Sequence, residues 1–212
     1  PQPRTGQWKS GYFGWWYSYS DGTYAANETL VIDGQTYRFD ARGYMKTGWV
    51  YEGGHWYYHA SSGAQQTGWV MDRGNWYYLD PSNGVMATGW RPLNNKWYYF
   101  ETGEEEGVMA MDKWEKLKDK WYHFGSDGAM QTGWIQINEG PYYYLNSTTG
   151  VMETGWKTDT EGNKYYLRPE SGKMAVAWYK IDNVWYYFAQ NGKMVKGWLQ
   201  DGNRYYYLSE GK

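Results

Sequence analysis

The sequence predicts an all-β solenoid of about ten stacked β-hairpin repeats, each about 20 residues long. Three observations carry that prediction. Eight segments open on a Trp and return to an aromatic cluster, among them TGWVYEGGHWYY, TGWVMDRGNWYY, TGWRPLNNKWYY, DKWEKLKDKWYH and VAWYKIDNVWYY. Their opening residues, Trp49, Trp69, Trp90, Trp114, Trp134, Trp156, Trp178 and Trp198, are spaced by 20, 21, 24, 20, 22, 22 and 20 residues. Aromatic residues make up 22% of the chain and Gly contributes 28 positions, which suits short hairpins whose rings stack on their neighbours. A period this short marks an array of small units.

The units can be taken in order. Residues 1–45 carry the pattern incompletely. Trp8 and Trp15 outline a first unit, while in the second Glu28 falls at the place of the opening Trp and Thr36 at that of the second Trp. End repeats of an array are often irregular because they cap it, so this stretch reads as atypical and the second unit as blank for any aromatic site. Residues 46–212 read as one continuous regular array. In each of its units a short apolar stretch such as Trp49-Val50 is followed by a polar turn and a returning stretch such as Trp56-Tyr57-Tyr58, which is hairpin syntax. The turn letters are plain at Gly53-Gly54, Arg73-Gly74-Asn75, Asn94-Asn95, Glu161-Gly162-Asn163 and Asp201-Gly202-Asn203. Length varies after the second strand, between Thr102 and Gly107 above all, where a loop absorbs it.

Strand side chains alternate faces, so Trp76 and Tyr78 share one side and Tyr77 and Leu79 the other. The Tyr77/Leu79 pair and its counterparts Tyr98/Phe100, Tyr122/Phe124, Tyr186/Phe188 and Tyr206/Leu208 read as the inner stacking face, and the Trp76/Tyr78 positions as lining grooves between hairpins. Met45, Met86, Met130, Met152, Met174 and Met194 each lie four residues before an opening Trp, and Met109 lies five before Trp114. A thioether at that slot either fills irregular core gaps or also floors a pocket.

Composition excludes several classes. With 21 basic and 23 acidic residues, the formal net charge of −2 offers no field for a polyanion, so nucleic acid is not expected. No apolar run approaches the roughly 18 residues of a membrane span. The chain starts at Pro1 without a signal peptide and reads as a mature or excised segment. Cys is absent, which removes disulfides and thiolate chemistry. No metal site, cofactor or catalytic group is expected: His55, His59 and His123 sit in different repeats in ordinary surface or stacking roles, and no nucleophile, phosphate-loop or zinc motif occurs. Glu104, Glu105 and Glu106 read as a solvated loop run.

Convergent aromatic faces suit a cation whose charge is spread over methyl groups. A quaternary ammonium donates no strong hydrogen bond and is weakly hydrated, so the electron-rich faces of Trp and Tyr hold it. Rings worth roughly 0.5–2 kcal/mol each, less the cost of immobilising the ligand, give a site of about millimolar strength. Several such sites facing a polymer that displays the ligand repeatedly gain by effective concentration.

The units TGWVMDRGNWYYLDPSNGVM and TGWRPLNNKWYYF resemble the choline-binding repeats of pneumococcal and other streptococcal surface proteins and phage lysins, and GWWYSYSDGTYAANETLVIDGQTYRFDARGYM is similar to the opening repeats of a pneumococcal amidase autolysin's choline-binding module. The resemblance covers nearly the whole chain. It implies a left-handed β-solenoid with choline between consecutive hairpins, boxed by the opening Trp and second-strand Trp of one unit, the Met that follows, and the second Tyr of the next unit. Carried onto this chain, it implies boxes of Trp69, Trp76, Met86 and Tyr99; Trp114, Trp121, Met130 and Tyr144; Trp178, Trp185, Met194 and Tyr207; Trp49, Trp56 and Tyr78, with Gln65 for Met; and Trp134, Tyr142, Met152 and Tyr166, with Tyr for the second Trp. Trp90, Trp97 and Met109 would meet His123 where a Tyr is expected. Trp156 would face Lys164, and Trp8 and Trp15 would face Arg38, each a cation in a cation site and so expected to be empty. The implied function is a non-catalytic, extracellular, wall-associated module that binds choline or phosphocholine on teichoic and lipoteichoic acids. The alternatives are a glucan-binding repeat module, since rings also stack on sugars, and the wall-targeting part of a murein hydrolase whose catalytic domain lies elsewhere. Some members of that family pair two chains, which carries an expectation of a homodimer to the hairpin ending at Lys212.

Overall fold

The computed structural model describes residues 5–209. The chain divides into two compact units, residues 1–110 and 111–212, and each contains five antiparallel hairpins. In the first unit β1 (Gly6–Gly11) pairs with β2 (Gly14–Tyr19), β3 (Thr29–Ile32) with β4 (Gln35–Arg38), β5 (Gly48–Glu52) with β6 (His55–His59), β7 (Gly68–Asp72) with β8 (Asn75–Leu79), and β9 (Gly89–Leu93) with β10 (Lys96–Phe100). In the second, β11 (Lys113–Leu117) pairs with β12 (Lys120–Phe124), β13 (Gly133–Gln136) with β14 (Tyr142–Leu145), β15 (Gly155–Thr158) with β16 (Lys164–Leu167), β17 (Ala177–Ile181) with β18 (Val184–Phe188), and β19 (Gly197–Asp201) with β20 (Arg204–Leu208). Among the described residues there is no helix. The all-β array of about ten hairpin repeats is thus the observed architecture.

Turn chemistry closes each hairpin. Gly53-Gly54, Asn94-Asn95 and Asp182-Asn183 hold positive φ at both central residues, 59° and 81°, 50° and 62°, and 47° and 66°. Two positive φ values in a two-residue loop are the type I′ geometry whose twist matches that of the flanking strands, and Gly, Asn and Asp tolerate it best.

A lone two-stranded hairpin is marginal in water, so stability comes from stacking. Trp49 lies directly opposite Tyr58 and Tyr51 opposite Trp56, which puts Trp49, Trp56 and Tyr58 on one face of the β5–β6 hairpin and Val50, Tyr57 and His59 on the other. Consecutive hairpins stack front to back: Trp49, Trp56 and Tyr58 pack on Val70, Leu79 and Met86 of the following repeat. Likewise Trp76 and Tyr78 pack on Phe100, Ala87 and Met109. In the second unit Tyr166 joins Ala175, Ile181 and Phe188 in one buried cluster.

In eight of the ten layers the deepest point is the residue at or just past the end of the second strand, on its back face. Phe39, His59, Leu79 and Phe100 in the first unit, and Phe124, Leu145, Leu167 and Phe188 in the second, are at most 1% exposed. This bears out the inner face expected for the Leu79, Phe100, Phe124 and Phe188 positions. The methionine slot also belongs to the stack. Gly107 and Gly192 lie at φ 81° and 77°, and a Cβ at either would run into the side chain of Met86 or Met174, so glycine there both permits the turn and seats the thioether.

The final hairpin, β19–β20, leaves Trp198, Tyr205 and Tyr207 exposed. Residues 210–212, to which the pairing expectation extends, lie outside the described residues.

Candidate aromatic-box site

The repeated site is a corner made by two indoles. Within one hairpin the opening Trp and the second-strand Trp meet nearly at right angles: Trp49 and Trp56 at 6.4 Å and 90°, Trp69 and Trp76 at 6.3 Å and 89°, Trp90 and Trp97 at 6.2 Å and 84°, and Trp178 and Trp185 at 6.5 Å and 86°. Rings stacked flat on each other would leave no room. Perpendicular rings leave a concave angle into which both π faces look.

A ring from the following hairpin adds the third wall. It is the residue that follows the second-indole position in that hairpin's second strand: Tyr77 lies 4.6 Å from Trp49, Tyr98 5.2 Å from Trp69, Tyr143 5.0 Å from Trp114, Tyr165 5.0 Å from Trp134, and Tyr206 4.9 Å from Trp178. The expected residues Tyr78, Tyr99, Tyr144, Tyr166 and Tyr207 each stand instead opposite the opening Trp of their own hairpin: Trp69, Trp90, Trp134, Trp156 and Trp198. The face assignment itself holds, since Trp76 and Tyr78 do share a side. The one-residue shift arises because front-to-back stacking brings opposite faces of neighbouring hairpins together, so the Trp face of one hairpin meets the Tyr77-type face of the next.

The methionine is displaced by one repeat for a related reason. Met86 N–H donates to the Trp56 carbonyl at 2.9 Å and Met109 N–H to the Trp76 carbonyl at 2.8 Å. In the second unit Met152 is held at Trp121, Met174 at Tyr142 and Met194 at Lys164, at 2.7–2.8 Å. Three of these methionines therefore serve the Trp pair of the preceding hairpin: Met86 sits with Trp49 and Trp56, Met109 with Trp69 and Trp76, and Met152 with Trp114 and Trp121. Met130 is seated against the Gly150 turn, as Met86 is against Gly107. Trp49, Trp56, Tyr77 and Met86 line one cavity. At the last level Trp178, Trp185, Met194, Tyr206 and Tyr207 line a common cavity.

Three positions that break the repeat behave differently. Arg38, expected opposite Trp8 and Trp15, is not in that site, where Tyr37 and Met45 complete a cavity with the two indoles. Arg38 belongs one level on, where Thr29, and not Glu28 as the spacing suggested, takes the opening-Trp place opposite it; Glu28 stands where the other hairpins have the Gly before that Trp. There its guanidinium lies 3.7 Å from the centre of the Tyr57 ring, donates to Glu52 at 2.7 Å, and also donates to Gln65 and to His59 Nε2. A guanidinium only donates and a carbonyl only accepts, so His59 is the neutral Nδ1–H tautomer, giving its proton to the Gly63 carbonyl at 2.7 Å. Gln65 is accordingly part of this level and does not complete the box of Trp49 and Trp56. His123, expected to face Trp90, stands opposite Trp114 in its own hairpin, 4.9 Å away, with Nδ1 2.7 Å from Gln131 Oε1. Lys164 replaces the second indole at the Trp156 level and is exposed, while Tyr186 packs 5.1 Å from Trp156.

Carboxylates sit beside two of the corners. The indole N–H of Trp49 donates to Asp72 at 3.1 Å and that of Trp178 to Asp201 at 2.8 Å, which fixes both rings. The Trp49 cavity is also lined by Glu104, Glu105 and Glu106, so the loop run read as merely solvated forms part of a site wall. Among the described residues no group of His, Cys, Asp or Glu could hold a metal, and no helix is long and apolar enough to cross a membrane.

Comparison with known proteins places this geometry. The sequence matches the choline-binding repeat over residues 26–64, 53–89, 111–156, 132–177 and 175–211, and a putative cell wall binding repeat over residues 88–103. No curated protein sequence matches. Among solved structures, CbpJ from Streptococcus pneumoniae is 28% identical, with a TM-score of 0.63 over 97% of this chain and 92% of that one. The choline-binding domain of CbpL from Streptococcus pneumoniae is 29% identical, with a TM-score of 0.63 over 93% of this chain and all of that one. Choline binding protein F from Streptococcus pneumoniae, solved with a peptidoglycan analogue, is 28% identical, with a TM-score of 0.61 over 99% of this chain and 93% of that one.

Proposed function

Because the chain belongs to the choline-binding repeat family, we propose that it is a non-catalytic, extracellular module that anchors a protein to choline or phosphocholine on the teichoic acids of a Gram-positive wall. The observation that carries the reading is the perpendicular indole pair closed by a tyrosine from the next hairpin, repeated along the chain. Two indole faces and a phenol face surround a trimethylammonium group with negative quadrupole on three sides, and a thioether fills the remaining gap. A sugar would ask for flat stacking platforms with hydrogen-bond partners beside them. A corner built of ring faces supports the cation.

The proposed sites are Trp49, Trp56, Tyr77 and Met86; Trp69, Trp76, Tyr98 and Met109; Trp114, Trp121, Tyr143 and Met152; Trp134, Tyr142, Tyr165 and Met174; and Trp178 and Trp185 with Tyr206, Tyr207 and Met194. Trp8, Trp15, Tyr37 and Met45 add a site that sequence reading set aside, and Trp90 and Trp97 supply the same indole corner. Isothermal titration of the chain with choline is expected to give saturable heat at millimolar concentration with several equivalents bound. Absence of saturation would overturn the reading, and retention on dextran that choline does not compete would put a glucan-binding module in its place.

A further inference from the structure

The proposed boxes differ in what surrounds them, and one is set apart by charge. The cavity at Trp49, Trp56, Tyr77 and Met86 is about 520 Å³, against about 210 Å³ at Trp178 and Trp185. The reason lies in the 24-residue spacing between Trp90 and Trp114, the longest in the array. The extra length falls in the turn after β10, and that turn brings Glu104, Glu105 and Glu106 to the wall of this cavity. Asp72 already accepts the Trp49 indole N–H. The cation closest to that carboxylate, Arg73, holds its Nε 3.9 Å from Asp72 with its side chain 91% exposed, and it does not line the cavity. The Trp178 cavity shares the indole–carboxylate bond, through Asp201, and has no acidic side chain among the described residues of its lining.

Resting on the aromatic-box reading, we infer that the turn carrying Glu104, Glu105 and Glu106 makes the Trp49 box selective for a quaternary ammonium without an adjoining phosphate, so that it prefers choline to phosphocholine. The ring faces set the affinity for the methylated head and treat both ligands alike. The carboxylates do not: they attract the head group of either ligand and repel a phosphate that sits two carbons from the nitrogen. Charges facing one another across a solvated cavity interact weakly in water and lose most of that interaction in salt. Three acidic residues acting together are expected to separate the two ligands roughly five-fold at low ionic strength.

The test reads each box separately through its indole N–H resonance, with Trp49 and Trp178 identified by loss of the signal in Trp49→Phe and Trp178→Phe. The full chain is titrated with choline and with phosphocholine at about 20 mM and about 0.5 M salt. The expected result is a choline preference about five-fold larger at Trp49 than at Trp178 in low salt, shrinking towards equality in high salt and in the E104Q/E105Q/E106Q variant. Equal preference at the two indoles, or a Trp49 preference that survives both salt and the triple substitution, overturns the inference. The salt arm uses the unaltered chain and does not depend on how the variant folds. If neither ligand moves either indole, the box reading itself fails; if choline moves both with one common preference, only the role of the acidic turn fails.

Discussion

Arg38 shows how a single residue decides whether a level is open to a ligand. Its guanidinium occupies the face of Tyr57, and Glu52, Gln65 and His59 satisfy its donors, so the protein supplies its own cation where the two indoles are missing. The sequence displays the loss of the indoles through Thr36. It does not display the substitute, because the partners of Arg38 lie 14–27 residues away along the chain. The cluster also carries a pH dependence. Burial, with the neighbouring Arg38 charge, holds the His59 pKa below its ordinary value against the opposing hydrogen bond to Gly63, and the hydrogen bond from Arg38 holds that of Glu52 down. A depressed folded-state pKa means that the unfolded chain binds more protons as pH falls, so both groups contribute stability that is complete above their unfolded values and lost on acidification. His59 acts first, starting near pH 6.5, and Glu52 below about 4.5. Thermal unfolding measured between pH 7.5 and 5.5 should show Tm falling, and His59→Phe, which places at this site the residue found at the equivalent Phe39 and Phe100, should flatten that slope.

At the scale of the hairpin, the distinction between adjacent tyrosines matters most. Tyr98 faces the Trp69 corner of the preceding hairpin, whereas Tyr99 is buried opposite Trp90 in its own. Tyr98→Leu removes one wall of the Trp69 box, worth roughly 0.5–2 kcal/mol, and should weaken choline binding read at the Trp69 indole about two- to thirty-fold. Tyr99→Leu should leave that reading unchanged and lower the unfolding temperature instead. The reverse pattern would restore the register in which the second tyrosine closes the box. Strand alternation made the two faces legible in the sequence. Which face meets which neighbour was not legible, since alternation is a property of one strand and stacking order a property of two hairpins.

Across the whole molecule, the recurrence of one weak site is what makes anchoring feasible. Millimolar boxes become a firm attachment only when several meet a polymer carrying many copies of the ligand, and every degenerate level subtracts from that gain. The Trp156 level retains Trp156 and Tyr186 but presents Lys164 where the second indole stands elsewhere. Lys164→Trp should restore the corner and raise the choline stoichiometry in calorimetry by one equivalent; an unchanged count would mean that something other than the missing ring closes this level.

Repeat length, turn type, the deep Leu or Phe slot and the aromatic character of the site were determined by the sequence alone, because each depends on local spacing, on residues tolerant of positive φ, or on strand alternation. The tertiary structure alone decided that hairpins stack front to back, that Met86, Met109 and Met152 reach back to the preceding indole pair, and that the Glu104 turn walls a distant box. Those are contacts between segments 20 or more residues apart, and their choice rests on which packed arrangement buries both faces at once, a competition that no single repeat can express.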